Sequence, residues 1–303
     1  MEFGIDATGL DDKATLDVTY FRQNISNLLL TADVPASGGF TQEIINGGEM
    51  RTQGLEISLG LNLIRSRSNN WLSRINFYKT TSKITKLTVD PFNTGGFATF
   101  LGAYRIEEGI SPTRIIGSEV DADGNLVELG DETPDFQMSF NNSFRYGNFN
   151  LGFLFDWKHG GDVINLGKLI TDLGGTSDDF DKVEKYDDDN DPSTPDVDLI
   201  NGVGRLTVLG VQTAPYIEDG SYLKLRELSF SYNFSEKAVQ NILGGRFTYL
   251  RIGISGRNLW TSTDYLGYDP EVSQFGNLAV GRSVDTLPFP TSRSFFFNIS
   301  FGM

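Results

Sequence analysis

Runs of alternating apolar and polar residues, the longer of them suited to strands of roughly ten residues, constrain this chain more than any other feature. In LEISLGLNL, Leu55, Ile57, Leu59, Leu61 and Leu63 share one face while Glu56, Ser58, Gly60 and Asn62 share the other. Strict period two means an extended strand, because successive side chains point to opposite sides. DFQMSFNNSFRY repeats the pattern with Phe136, Met138, Phe140, Phe144 and Tyr146. After Gly147 and Asn148, FNLGFLFDW presents Phe149, Leu151, Phe153, Phe155 and Trp157, so a tight hairpin is expected. LDVTYF, WLSRINFYK, LSFSYNF, FTYLRIGISG and FFFNIS read the same way. The chain is therefore all-β.

A soluble β-sandwich also alternates on its inner faces, and two features argue against one. The polar faces are rich in Gly, Ser, Asn and Thr, and the apolar faces carry aromatics near their ends, as suits strands with lipid outside, aromatic girdles at the interfaces and a wet lumen. Connection lengths also alternate: 10–13, 64–70 and 147–148 are short, and 235–245 is moderate with room for a small helix. By contrast 25–50, 84–134, 158–219 and 259–292 are long. All long connections leave from one end, which an outer-membrane barrel requires and a sandwich does not. The expectation is an antiparallel up-and-down transmembrane β-barrel meander of about nine strands with long extracellular loops. Single-chain bacterial barrels close with even strand numbers. An odd count, together with a MEFGIDATGL start that lacks a signal-peptide pattern, reads as part of a larger barrel.

Composition excludes other classes. The net charge of −15, with no basic cluster, argues against nucleic acid as a partner. No apolar run reaches the ~20 residues of a membrane helix. There is no cysteine, so thiolate metal sites and cysteine nucleophiles are out, and the only histidine is His159. Any His-dependent triad would hang on that one residue, so the chain is not expected to be an enzyme.

The segments YIEDGSYLKLRELSFSYNF (216–234) and LRIGISGRNLWTSTDYLGYDPEV (250–272), followed by a final aromatic strand, resemble the C-terminal barrel region of SusC/RagA family TonB-dependent outer-membrane transporters. LDVTYFRQNISNLLL, VPASGGF and NGGEMRTQGLEISLGLNLI resemble earlier segments of the same barrel, in order. The resemblance implies that residues 1–303 form the C-terminal portion of a 22-stranded barrel, with an N-terminal plug and TonB-interacting segment absent from this sequence. It further implies a place in the outer membrane of a Gram-negative bacterium, surrounded by outer-membrane lipid. The implied partners are a SusD-like lipoprotein lid and the TonB complex, and the implied cargo is a glycan or a peptide. The reading is a nutrient importer, most simply of oligosaccharides; the alternative is a soluble or surface-attached β-rich glycan-binding protein.

Within GRNLWTSTDYLGYDPEV, Trp260, Tyr265 and Tyr268 break both helical and strand periods, so 256–272 is expected to be a structured extracellular loop. Such aromatics can stack on sugar rings or on a lid, or else pack the loop and join the outer girdle. No cofactor is expected. The acidic loop places Asp187, Asp189 and Asp191 at the first ligand positions of an EF-hand-like motif, but Pro192 stands at the glycine position and Asp198 at the twelfth. Asp121, Asp123, Asn125 and Glu132 have similar spacing, with Leu126 where glycine belongs. Solvated loops account for both, the alternative being an irregular divalent-cation site. From 159 to 219 the chain carries fourteen acidic against four basic residues.

Overall fold

The computed structural model describes residues 1–33, 39, 42–182, 201–271, 273–276 and 281–303. Nine antiparallel strands form one sheet: β1 Glu2–Gly9, β2 Ala14–Asp33, β3 Gln42–Arg65, β4 Asn69–Leu87, β5 Pro134–Tyr146, β6 Phe149–Gly160, β7 Tyr222–Asn233, β8 Tyr249–Ser262 and β9 Ser294–Gly302. Each is bonded to its neighbours in sequence order, and β1 and β9 are the edges. The meander expected from the hairpin rhythm is present, and Greek-key order is not.

Register aligns the alternation across the whole sheet. One cross-strand row runs through Ala7, Leu16, Leu59, Ile75, Phe140, Phe155 and Leu225 to Trp260. The next row runs through Asp17, Ser58, Asn76, Ser139, Asp156 and Lys224. The apolar face has no protein against it: Phe297 is 67% exposed, and Ile5 and Phe295 are similar. An apolar surface of this extent needs lipid. Aromatics band both ends of it. Trp71–Phe144 and Phe149–Tyr232 lie at the short-turn end, and Phe77–Phe136 and Phe136–Trp157 at the long-loop end. Trp71 Nε1 donates to Asn142 Oδ1 (3.1 Å), satisfying the one amide that interrupts the apolar face of β5.

Turn chemistry explains the short end. Gly147 at φ +55° permits the two-residue β5–β6 hairpin, and Ser235 caps α1 (Glu236–Leu243) by accepting from the Ala238 amide, so the expected helix forms between β7 and β8. Three expectations about loops need correction. Residues 25–50 are not a loop for most of their length, because β2 and β3 continue past a register shift at Ile25–Leu28, where Asn27 takes φ +58°. That bulge breaks the period and hid the strand. Residues 84–134 hold a four-stranded antiparallel sheet (Phe92–Thr94, Ala103–Ile106, Arg114–Val120 and Leu126–Asp131). Gly256–Ser262 belong to β8 and not to a loop, since Asn258 at φ +53° makes a bulge opposite Arg226 and pairing resumes at Leu225–Trp260.

The only compact core among the described residues lies above the wall. Tyr104 and Ile115 from the β4–β5 loop pack with Ile164, Leu166, Leu169 and Tyr216 from the β6–β7 loop and with Val284 from the β8–β9 loop. Asp162–Asn165 pairs antiparallel with Ile217–Asp219 and parallel with Val284–Asp285, tying the last two loops into one small sheet. Three connections thus co-fold as a single cap.

Candidate functional site

The cap is fastened to the inner face of the wall by ions. The run YLKLREL points Tyr222 and Lys224 inward, and the bulge at Arg226 turns that guanidinium inward as well. Lys224, 3% exposed, donates to Asp269 Oδ1 (2.5 Å) and Glu271 Oε2 (2.5 Å). Arg226 donates to Asp156 Oδ2 (2.6 Å) on β6 and to both carboxylate oxygens of Glu271. The Tyr222 hydroxyl donates to Glu271 Oε1 (2.8 Å), and its ring lies under the Lys224 ammonium at 4.7 Å. Burial alone would raise the Glu271 carboxyl, but its bonds to Arg226 and Lys224 outweigh that and push it down to about 2. Asp269 is likewise held below the carboxylate range: the bond from Lys224 and the hydroxyl of Thr291 overcome its burial. The DPE of the aromatic segment is therefore a clasp, which pulls the start of the β8–β9 loop over the mouth.

The three aromatics of that segment do not converge. Trp260 is 47% exposed on the outward, apolar face, level with Leu225 and Phe155, in the outer girdle. Tyr265 is 5% exposed and donates to Asp285 Oδ2 (2.6 Å), so it packs the loop against the cap; burial and that carboxylate push its hydroxyl well above the usual tyrosine value. Tyr268 is 76% exposed and stands beside Leu266 on a cleft of about 400 Å³. Lys168 and Thr171 of α2 (Leu166–Leu173), and Asp178, Asp179 and Arg205 line the rest. Arg205 is 2% exposed and bridges Asp172 (2.7 Å) and Asp179 (2.7 Å), tying the polar floor to α2.

On the wall itself, Asn150 and Asn298 line a concavity of about 460 Å³ with Ser143, Ser229 and Arg251. This is the polar face, as the alternation requires. His159 lies on the outward face, its ring 5.3 Å from that of Phe136.

Asp187, Asp189 and Asp191 lie outside the described residues. Asp121 accepts from the amides of Asp123 (2.9 Å) and Asn125 (2.8 Å), closing a hairpin turn, while Glu132 bonds Arg282 (3.1 Å) elsewhere. Among the described residues no three carboxylate or imidazole groups converge as a metal site. The sequence reading missed the clasp: its cations and carboxylates stand some 45 positions apart, at 224–226 and 269–271, and spacing cannot pair residues so distant.

The description "TonB dependent receptor-like, beta-barrel" matches residues 1–259. TonB-dependent receptor P3 of Formosa agariphila is 28% identical over 97% of this chain and 33% of its own length. Receptor P26 of the same organism is 24% identical over 99% and 34%. Among solved structures, the RagAB peptide importer in the "closed-closed" state superposes with a TM-score of 0.70 at 20% identity, covering 98% of this chain and 34% of that one. Its "open-open" state gives 0.68 at 18%, covering 100% and 34%. The chain thus spans about a third of the length of the relatives it matches.

Proposed function

The chain belongs to the TonB-dependent receptor-like β-barrel family, a family of outer-membrane receptors and transporters and not of enzymes, and from that premise we propose that it supplies wall and extracellular mouth to a nutrient importer in the outer membrane of a Gram-negative bacterium. The observation that carries the reading is the two-faced sheet: apolar rows outward, polar rows toward a concavity, and every long loop gathered at one end. On this reading, energisation by the TonB complex and capping by a SusD-like lipoprotein are properties of a protein as long as its relatives.

The proposed cargo is an oligosaccharide, met at the cleft under Tyr268. A flat exposed ring and Leu266 beside the Thr171 hydroxyl and the Asp178 and Asp179 carboxylates suit a pyranose, with its C–H faces and O–H edges. Trp260 and Tyr265 hold the girdle and the loop. Replacing Tyr268 and Leu266 with Ala in the full-length transporter is expected to weaken oligosaccharide binding about tenfold, measured calorimetrically, and to leave assembly intact. Unchanged affinity would reject the cleft as a cargo site. Binding of peptides in place of oligosaccharides would assign the other cargo, the one named for the RagAB neighbours.

A further inference from the structure

The outward face changes character at the long-loop end of β2–β4. Above the row Leu16–Leu59–Ile75, register places Tyr20, Leu55 and Lys79 in one outward row, Arg22, Gln53 and Thr81 in a second, and Asn24, Arg51 and Lys83 in a third. Side-chain bonds confirm the shared face: Tyr20 Oη reaches Gln53 Oε1 (3.4 Å) and Arg51 Nε donates to Asn24 Oδ1 (3.2 Å). Arg22, Arg51, Lys79 and Lys83 therefore occupy a patch of roughly 10 by 14 Å, from strand spacing and rise. Lys79 and Lys83 are exposed, and the Nε of Arg22 is buried without a hydrogen-bond partner. None of the four forms an ion pair among the described residues; the nearby Lys86 is the one that takes Glu49. In a chain of net charge −15, four unpaired cations on the outward face, directly above the apolar band, are the reverse of the surrounding charge.

We propose that this patch binds the phosphorylated headgroup of an outer-leaflet glycolipid whose acyl chains lie on the apolar rows below. Position selects the lipid: the cations face outward from the lumen and sit where the apolar band ends, which is the height of a headgroup phosphate. Arg22 and Arg51 offer forked donors to phosphate oxygens, and Lys79 and Lys83 supply point charges from the next strand. Asn24, Gln53 and Tyr20 leave amide and hydroxyl groups for the sugar. The inference rests on the lipid-facing assignment of β2–β4, which cysteines at Ile57 and Glu56 of β3 test separately, the first expected to resist and the second to react with a membrane-impermeant thiol reagent.

The test uses the full-length protein in detergent, with native mass spectrometry counting bound lipid. A phosphorylated glycolipid should bind, and its dephosphorylated form should bind far more weakly. Replacing Arg22, Arg51, Lys79 and Lys83 together with Gln should weaken binding of the phosphorylated form by about a hundredfold or more, since each cation near a charged lipid surface accounts for about fivefold. The charge-keeping variant Arg22→Lys with Arg51→Lys controls for folding and should retain binding within about tenfold, as only the forked geometry is lost. Equal binding of the two lipid forms, or unchanged binding by the four-Gln variant, would overturn the proposal. So would full displacement of the lipid by inorganic phosphate, which would show a free-anion site.

Discussion

Replacing Glu271 with Gln should release the clasp without unfolding the wall. A carboxyl that falls from 4.5 to about 2 on folding contributes about 3 kcal/mol at neutral pH, at about 1.4 kcal/mol per pH unit. Gln keeps the shape and loses the charge, while Arg226 retains Asp156 and Lys224 retains Asp269, so about 2–3 kcal/mol of loop stability should go. That corresponds to roughly a thirty- to hundred-and-fiftyfold increase in local opening. The assay is amide hydrogen exchange on the full-length protein in detergent. Its reporters are the amides of Leu266, bonded to Glu218, and of Glu271, bonded to Asp269. The pH dependence follows from the sign of the shift. A depressed folded value means that the stabilisation is complete above about 4.5 and disappears as pH falls toward about 2. Wild-type protection should therefore be flat near neutrality and drop below about 4.5, and the Gln variant should show a shallower drop, with Asp269 left to titrate. Protection within twofold of wild type at pH 7 would refute the idea that Glu271 holds the loop.

Cysteines at Asn150 and Asn298 should react with a membrane-impermeant thiol reagent, and cysteines at Phe153 and Phe297 should not; equal reaction of the two sets would reverse the assignment of faces. Arg205→Met should loosen the cap by about 3–5 kcal/mol, because Asp172 is fully buried and loses its cation, keeping only the Tyr216 hydroxyl, and this would appear as faster proteolysis in the α2 region while the heat resistance of the barrel stays unchanged.

The wall was legible because lipid imposes a rule on it at every residue. Within the apolar band an outward residue of β3 or β5 is held apolar whatever its neighbours are, so period two survives intact from Leu55 to Leu63 and nearly so from Phe136 to Tyr146. The cap obeys no such rule. Its core takes Tyr104, Ile164, Tyr216 and Val284 from strands of two to four residues or from turns, too short to show a period, and their partners lie on other loops. The aromatic segment was legible as structured but not in its parts. Trp260 keeps the parity of Ile252 and Ile254 across the irregularity at Asn258 and so stands on the lipid face, while the one-residue slip falls on β7, where Leu225 faces outward in place of Arg226.

The bulges explain how one strand pair serves both parts. Below Arg226 and Asn258, β7 and β8 alternate strictly, sending Phe230 and Ile254 outward and Ser229 and Ser255 inward. At the bulge β7 gains twist and loses one step of alternation, so that above it Leu225 faces outward and Lys224 and Tyr222 inward, while β8 keeps its parity from Ile254 to Trp260. Arg226 is released to meet Asp156 and Glu271, and the backbone is re-aimed so that the loop after Ser262 crosses inward, where Thr263 bonds the Ser221 carbonyl (2.6 Å). Without the bulge, Arg226 would continue the outward row of Leu228 and Phe230 and place a guanidinium in lipid, at a cost of about 2–4 kcal/mol near the midplane and less toward the interface. The irregularity that interrupts the sequence pattern is thus the device that carries the chain from a lipid-facing wall into a water-facing cap, and it falls at the height where the outer girdle of Trp157 and Trp260 marks the edge of the membrane.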